Sequence, residues 1–190
     1  MTENHVNQTS ASPLPAGLRA GIVVGNPKPA SRTFLAAAHL AEQLTGRAPD
    51  LAIDLAAFGA ALLDWSNAEV EEAVSAVRGL DLVVFASPTY KASYTGLLKV
   101  FLDRFGANAL DGVVAVPLML GAGPGHALAP EVFLKPVLAE LGAVLPTKAL
   151  YVLDSAYEEA AAYVGWLETA RPRIAAASNA LRIADPAGAA

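Results

Sequence analysis

The chain is predicted to fold as an α/β domain built on a doubly wound parallel sheet, and three observations carry that expectation. Five short runs, at 20–24, 51–55, 80–86, 113–120 and 144–153, are almost continuously apolar. They lack period-two alternation, as strands do when helices cover both faces of a parallel sheet. The segments between them carry helical patterns, so strand and helix alternate through right-handed crossovers. Finally, the loops after the first, third and fourth runs hold hydroxyls, cations and glycines rather than plain turns. In such sheets ligands bind at the carboxyl ends of the strands, near the point where strand order reverses.

In chain order, AGIVV at 20–24 is the first strand and GNPKPASRT carries it into an Ala-rich helix. His39 on that helix has no chemical partner in the sequence and reads as structural. Asp54 closes the second strand and reads as turn chemistry, because the glycine fingerprint of a ribose-binding acid is missing. Behind the third strand, SPTYKASYTG leads to Tyr94, Leu97, Leu98, Phe101, Leu102 and Phe105. Their i, i+3, i+4 spacing predicts a helix over 94–105, with Ser93 as N-cap. One edge of that stripe is expected to meet a second subunit. After the fourth strand comes GAGPGH, then Phe133, Leu134, Val137, Leu138 and Leu141, a helix over 127–141 that Pro136 should reset. Pro146 makes the fifth strand irregular. The last helix spans about 156–181, with Tyr163, Trp166, Leu167 and Ile174 inward and a disturbance at Pro172. Residues 1–17 are expected to be a disordered polar tail, 18–183 one domain, and 184–190 a frayed end.

At 190 residues, 54% hydrophobic and 16% charged, the chain can close a core of its own. A net charge of −5 speaks against nucleic acid as a main partner. No apolar run reaches membrane-spanning length, so no membrane partner is expected, and the start, with neither a basic nor an apolar segment, reads as a polar tail and not a signal peptide. Zero Cys excludes disulfides, thiolate metal sites and a cysteine nucleophile, and makes a cytoplasmic location the default. With only two Met besides, either composition has drifted in an Ala-rich chain or the protein is made when sulfur is scarce.

The three loops point to one ligand. In the first, helix N-terminal amides make an anion site to which Ser31 and Thr33 add hydroxyls, Arg32 a forked cation and Lys28 a second cation. Two prolines stand where a dinucleotide fingerprint needs glycine, so a monophosphate fits better than a pyrophosphate. In the second, Pro88 fixes the backbone and turns the amides of Thr89, Tyr90 and Lys91 toward the crevice, where they suit the edge of a planar ring. Tyr90 and Tyr94 are candidates for its walls, Tyr94 equally for core or interface. In the third, Gly121, Ala122 and Gly123 allow close backbone approach to a flat ring. His126 is read as a capping or ring-edge group rather than a general base. No triad, carboxylate pair or metal-ligand cluster stands out, so the chemistry is expected to belong to a cofactor.

GNPKPASRT, ASPTYKASYTGLLKVFLDRF and GAGPGHALAPEVFLKPVL, in that order, resemble the NADPH-dependent FMN reductase family. Within it, the reductase components of alkanesulfonate monooxygenase systems are the most similar. The resemblance covers roughly residues 18 to 155, and S-P-x-Y-x-x-x-Y-[ST]-G-x-L-K-x-x-L-D is its most specific part. It implies a flavodoxin-like three-layer sandwich with sheet order 2-1-3-4-5. FMN phosphate would lie on Ser31, Arg32 and Thr33 with Asn26 nearby, and the ring against Pro88–Lys91 and Gly121–Gly123. Hydride would pass directly from NADPH, or NADH, to the flavin, without a catalytic side chain and without a metal. Reduced FMN would go to a flavin-dependent monooxygenase. A homodimer or homotetramer would form through helices 94–105 and 127–141, where Val132 occupies a position that is aromatic in some close relatives. An FMN-bound quinone or azo-compound reductase, or a flavodoxin-like electron carrier, would use the same scaffold.

Overall fold

The computed structural model describes Leu14 and residues 17–184. Strands β1 (Ala20–Val24), β2 (Leu51–Asp54), β3 (Leu82–Pro88), β4 (Val114–Gly121) and β5 (Leu150–Leu153) form one sheet. Its order is 2-1-3-4-5 and every neighbouring pair is parallel. Helices α1 (Arg32–Thr45) and α5 (Ala161–Ala184) pack against one face. The other face is covered by α2 (Ala68–Arg78), α3 (Gly96–Leu102) and α4 (Lys135–Glu140). The result is the three-layer flavodoxin-like arrangement.

The uninterrupted apolar runs follow from this layering. In β3, Leu82, Val84 and Ala86 join Leu40 and Leu44 of α1 and Tyr163 of α5. Val83 and Phe85 point the other way, toward Val74 of α2 and Phe101 of α3. Both sets are fully buried or nearly so. Full burial of each such side chain contributes about 1.5–3 kcal/mol, so alternate faces of one strand stabilise both layers.

The structure moves several expected boundaries. The helix expected over 94–105 spans only Gly96–Leu102, and Thr95 rather than Ser93 is its N-cap. Ser93 instead closes a tight turn with Tyr90, each accepting the other's N–H, at 2.8 and 3.1 Å. Of the stripe Leu97, Leu98, Phe101 and Phe105, one edge of which is expected to meet a second subunit, Leu98, Phe101 and Phe105 lie in the chain's own core at 0%, 0% and 6% exposure, while Leu97 is half-buried. The helix expected over 127–141 is assembled from pieces. A 3-10 turn at Pro124–His126 and a π-helical turn at Pro130–Leu134 precede α4. Pro136 stands where the π-helical turn passes into α4, so its missing N–H falls at the change of hydrogen-bond register. The fifth strand is Leu150–Leu153. Val144 makes a single parallel bridge to Val114 before the chain passes Pro146 outside the sheet. Pro172 lies inside α5 without ending it.

Part of the expected polar tail is packed. Leu14 is buried, and its N–H donates to Leu44 O at 2.9 Å. The rest of that tail, apart from Gly17, and residues 185–190 fall outside the described residues.

Candidate functional site

The three loops singled out in the sequence all leave the carboxyl edge of the sheet, after the central strands β1, β3 and β4. In the first, Ser31 caps α1, its Oγ accepting the Phe34 N–H at 3.3 Å. Asn26 organises the turn before it. Its Oδ1 accepts from Lys28 N at 2.9 Å, and its Nδ2 donates to Thr33 Oγ1 at 3.0 Å. Ser31 and Thr33 are buried, while Lys28 and Arg32 are exposed. The N–H groups of Ser31, Arg32 and Thr33 take no partner among the described residues. They open a 14-residue helix with no acidic residue in its first turn, where the dipole and free donors favour an anion.

Two carboxylates distant in sequence approach this loop. Asp54, read as turn chemistry, accepts from Ala56 N at 3.3 Å and caps a 3-10 turn. Its other oxygen accepts the Ala30 N–H at 2.9 Å. Asp154, beyond β5, meets Arg32: Nη1 lies 3.5 Å from Oδ2 and donates to the Asp154 carbonyl at 3.3 Å.

The polar run after β3 divides into structural and exposed groups. Ser87 and Thr95 are buried. Thr95 Oγ1 donates to Gly25 O at 2.5 Å and accepts from Leu98 N at 3.2 Å, while its N–H donates to Ser87 Oγ at 3.0 Å. These two hydroxyls therefore bind β1, β3 and α3 together. Between them Lys91 and Ala92 both adopt positive φ, 50° and 67°, the signature of a type I′ turn. Such strain at non-glycine residues, here Ala92 above all, persists where the surroundings over-determine it. Three of the four positive-φ non-glycine residues described are Ala30, Lys91 and Ala92, inside the first two loops.

Of the three amides expected to face the crevice, two are engaged within the chain. Thr89 N donates to Leu120 O at 2.6 Å and Tyr90 N to Ser93 O. Only the Lys91 N–H takes no partner among the described residues. Tyr90 is 53% exposed, whereas Tyr94 packs partly into the core. Burial, opposed by Lys99, raises the Tyr94 phenol above its ordinary 10.0.

Around the third loop, Tyr151 Oη donates to Gly123 O at 2.6 Å, and Asp154 N donates to Gly121 O at 3.0 Å. Side chains added at Gly123 or Gly125 would meet no atom within 4 Å, so the loop borders open space. Ala122 and His126 are exposed, and His126 makes no hydrogen bond among the described residues. Thr89 Oγ1 is buried beneath this loop without a hydrogen-bond partner.

The four loops form a closed circuit of contacts: Thr95 to Gly25, Thr89 to Leu120, Asp154 to Gly121, and Arg32 to Asp154. Tyr151 and Asp154 were not singled out in the sequence. Asp154 comes directly after β5, much as Asp54 ends β2, and that position is the only signal it gives. Among the described residues no His, Cys, Asp or Glu cluster can hold a metal.

This donor set fits a phosphate ester whose alkyl chain carries a flat heteroaromatic ring: free amides and cations after β1, open backbone after β3 and β4. The sequence pattern of the NADPH-dependent FMN reductase family matches residues 18–158. FMN reductase (NADPH) of Escherichia coli (strain K12) is 41% identical over 75 residues, 40% of this chain and 39% of that enzyme. NADH-dependent FMN reductase SfnF of Pseudomonas fluorescens (strain Pf0-1) is 32% identical over 142 residues, 68% and 73% of the two chains. A crystal structure of NADH:FMN oxidoreductase (EMOB), apo form, overlays with a TM-score of 0.68 at 30% identity, covering 88% of this chain and 89% of that one. With fold, loop chemistry and relatives in agreement, the chain belongs to the NADPH-dependent FMN reductase family and is an FMN-dependent oxidoreductase.

Proposed function

We propose that the protein uses NADPH, or NADH, to reduce FMN and supplies the reduced flavin to a two-component monooxygenase of the sulfonate-oxidising type. The observation that carries this reading is the set of free Ser31, Arg32 and Thr33 amides on an open edge, beside Lys28 and Arg32. The exposed Lys28 and Arg32 at its rim suit a flavin that arrives and leaves. Names of relatives include both NADPH- and NADH-dependent FMN reductases, which supports FMN as acceptor and either nicotinamide as donor.

In this reading the first loop holds the phosphate. Asn26 shapes the turn, Ser31 and Thr33 present the helix end, and Lys28 and Arg32 neutralise charge. Pro88, Thr89, Tyr90 and Lys91, with Gly121, Ala122 and Gly123, bound the ring, and the Lys91 N–H is a free donor toward its edge. Bound FMN would supply a ring able to take up hydride. The chain's part is to align the reactants and stabilise developing negative charge. No side chain need donate a proton, which leaves His126 a bordering role.

A second copy of the chain is proposed to cover Leu128, Val132 and Phe133, which are 71%, 51% and 46% exposed. They flank a groove of about 280 Å³ that Ala92 and His126 also line. This gives a dimer or tetramer through the 94–105 and 127–141 segments. The cytoplasm is the proposed location. No helix among the described residues is long and apolar enough to cross a membrane.

The test is a coupled assay. Protein, free FMN and NADPH or NADH are added to an FMN-dependent alkanesulfonate monooxygenase, and oxidation of its substrate is followed. Oxidation that requires this protein supports the reading. Nicotinamide consumption only with an added quinone, and no monooxygenase turnover, contradicts it.

A further inference from the structure

We infer that Asp154 is an affinity-setting residue: by holding Arg32 it keeps the phosphate contact weak enough for FMN to exchange. The inference rests on the FMN reductase reading and deepens it. Arg32 and Asp154 stand 122 positions apart, yet the guanidinium meets both the Asp154 carboxylate and its carbonyl. Both contacts fall on Nη1. Nε and Nη2 take no partner among the described residues and remain available to an anion.

Asp154 is itself fixed in place, because its N–H donates to Gly121 O at the end of β4. Its backbone is thereby held beside the first loop, and its carboxylate lies 3.5 Å from Arg32 Nη1. On the opposite side Asp54 already accepts the Ala30 N–H. An incoming phosphate thus meets two cations, Lys28 and Arg32, with two carboxylates beside them, and their formal charges cancel. What remains attractive is the helix end with its free amides, together with the hydrogen bonds that Nε and Nη2 of Arg32 can still donate.

The side chains of Arg32 and Asp154 are 61% and 41% exposed, so solvent screens the pair. Removing the carboxylate charge should accordingly tighten FMN by about two- to fivefold rather than by orders of magnitude. Riboflavin, which has the ring but no phosphate, should not respond.

Dissociation constants for FMN and riboflavin are measured by flavin fluorescence in wild type and Asp154→Asn, at low and high salt. The expected result is FMN preference in the wild type, tighter FMN binding in Asp154→Asn, unchanged riboflavin, and a gain that shrinks with salt. Unchanged or weaker FMN binding in the variant, or equal tightening of both flavins, overturns the inference while leaving the reductase reading intact. A wild-type protein that binds both flavins equally overturns the phosphate assignment, and the role of Asp154 with it. One that binds neither contradicts the FMN reductase reading itself.

Discussion

The phenol of Tyr151 occupies the space that a side chain on Gly121 would need. A Cβ at Gly121 would overlap Oη and lie 2.9 Å from Cζ. The same hydroxyl donates to Gly123 O, so the end of β4 and the loop beyond it are shaped around one side chain of β5. Glycine at 121 is thus required by packing, in addition to any closeness to a ring.

Gly121→Ala should lower stability by about 1–3 kcal/mol, the range for overpacking, and weaken FMN binding. Tyr151→Ala should relieve the overlap, so the double variant loses less than the sum of the two single ones. Urea denaturation of the four proteins measures this. Additive losses would mean that the loop adapts without Tyr151.

Thr95 is buried with its hydroxyl between Gly25 O and Leu98 N. Thr95→Val keeps the shape but leaves both groups unpaired, and should cost about 2–3 kcal/mol in denaturant unfolding. Thr95→Ser should recover most of that.

Glu131 ties the π-helical turn to the approach of β5. Its carboxylate accepts from Lys135 Nζ at 2.6 Å and from Ala149 N at 2.7 Å. Desolvation alone would raise its pKa, but the hydrogen bonds from Lys135 and Ala149 N–H outweigh it and hold the group below the ordinary 4.5. A depressed carboxylate stabilises the fold above its unfolded pKa, and that contribution is lost as pH falls through the folded value. Glu131→Gln should therefore cost about 1 kcal/mol at neutral pH after solvent screening, with the gap from wild type closing below pH 4.5.

His126 is exposed and free of hydrogen bonds among the described residues. His126→Gln should change turnover only a few-fold. A general acid would cost on the order of 100-fold and remove a limb of the pH profile.

The sheet was legible because burial on both faces writes itself into uninterrupted apolar runs such as 82–86 and 114–120. The first loop was legible for a similar reason, since Ser31-Arg32-Thr33 at a strand-to-helix junction carries its anion chemistry in adjacent residues. Less was legible where one residue type serves two purposes. The hydroxyls of Ser87 and Thr95 look like site groups in sequence but fasten β1 to β3 and α3. Likewise the stripe Leu98, Phe101, Phe105 looks surplus to one core until α2 and the turn before it are packed against α3. Asp54, Tyr151 and Asp154 reach the loops only through the fold, and no local spacing announces them.

This chain is expected to reduce FMN presented to it in solution. Steady-state oxidation of NADPH and of NADH by flavin-free protein, with free FMN varied, tests it most directly. Saturable turnover on added FMN is expected with at least one coenzyme, and Arg32→Ala should raise the FMN concentration needed by about tenfold or more, as for a lost charge-assisted bond. No FMN-dependent oxidation with either coenzyme would contradict it.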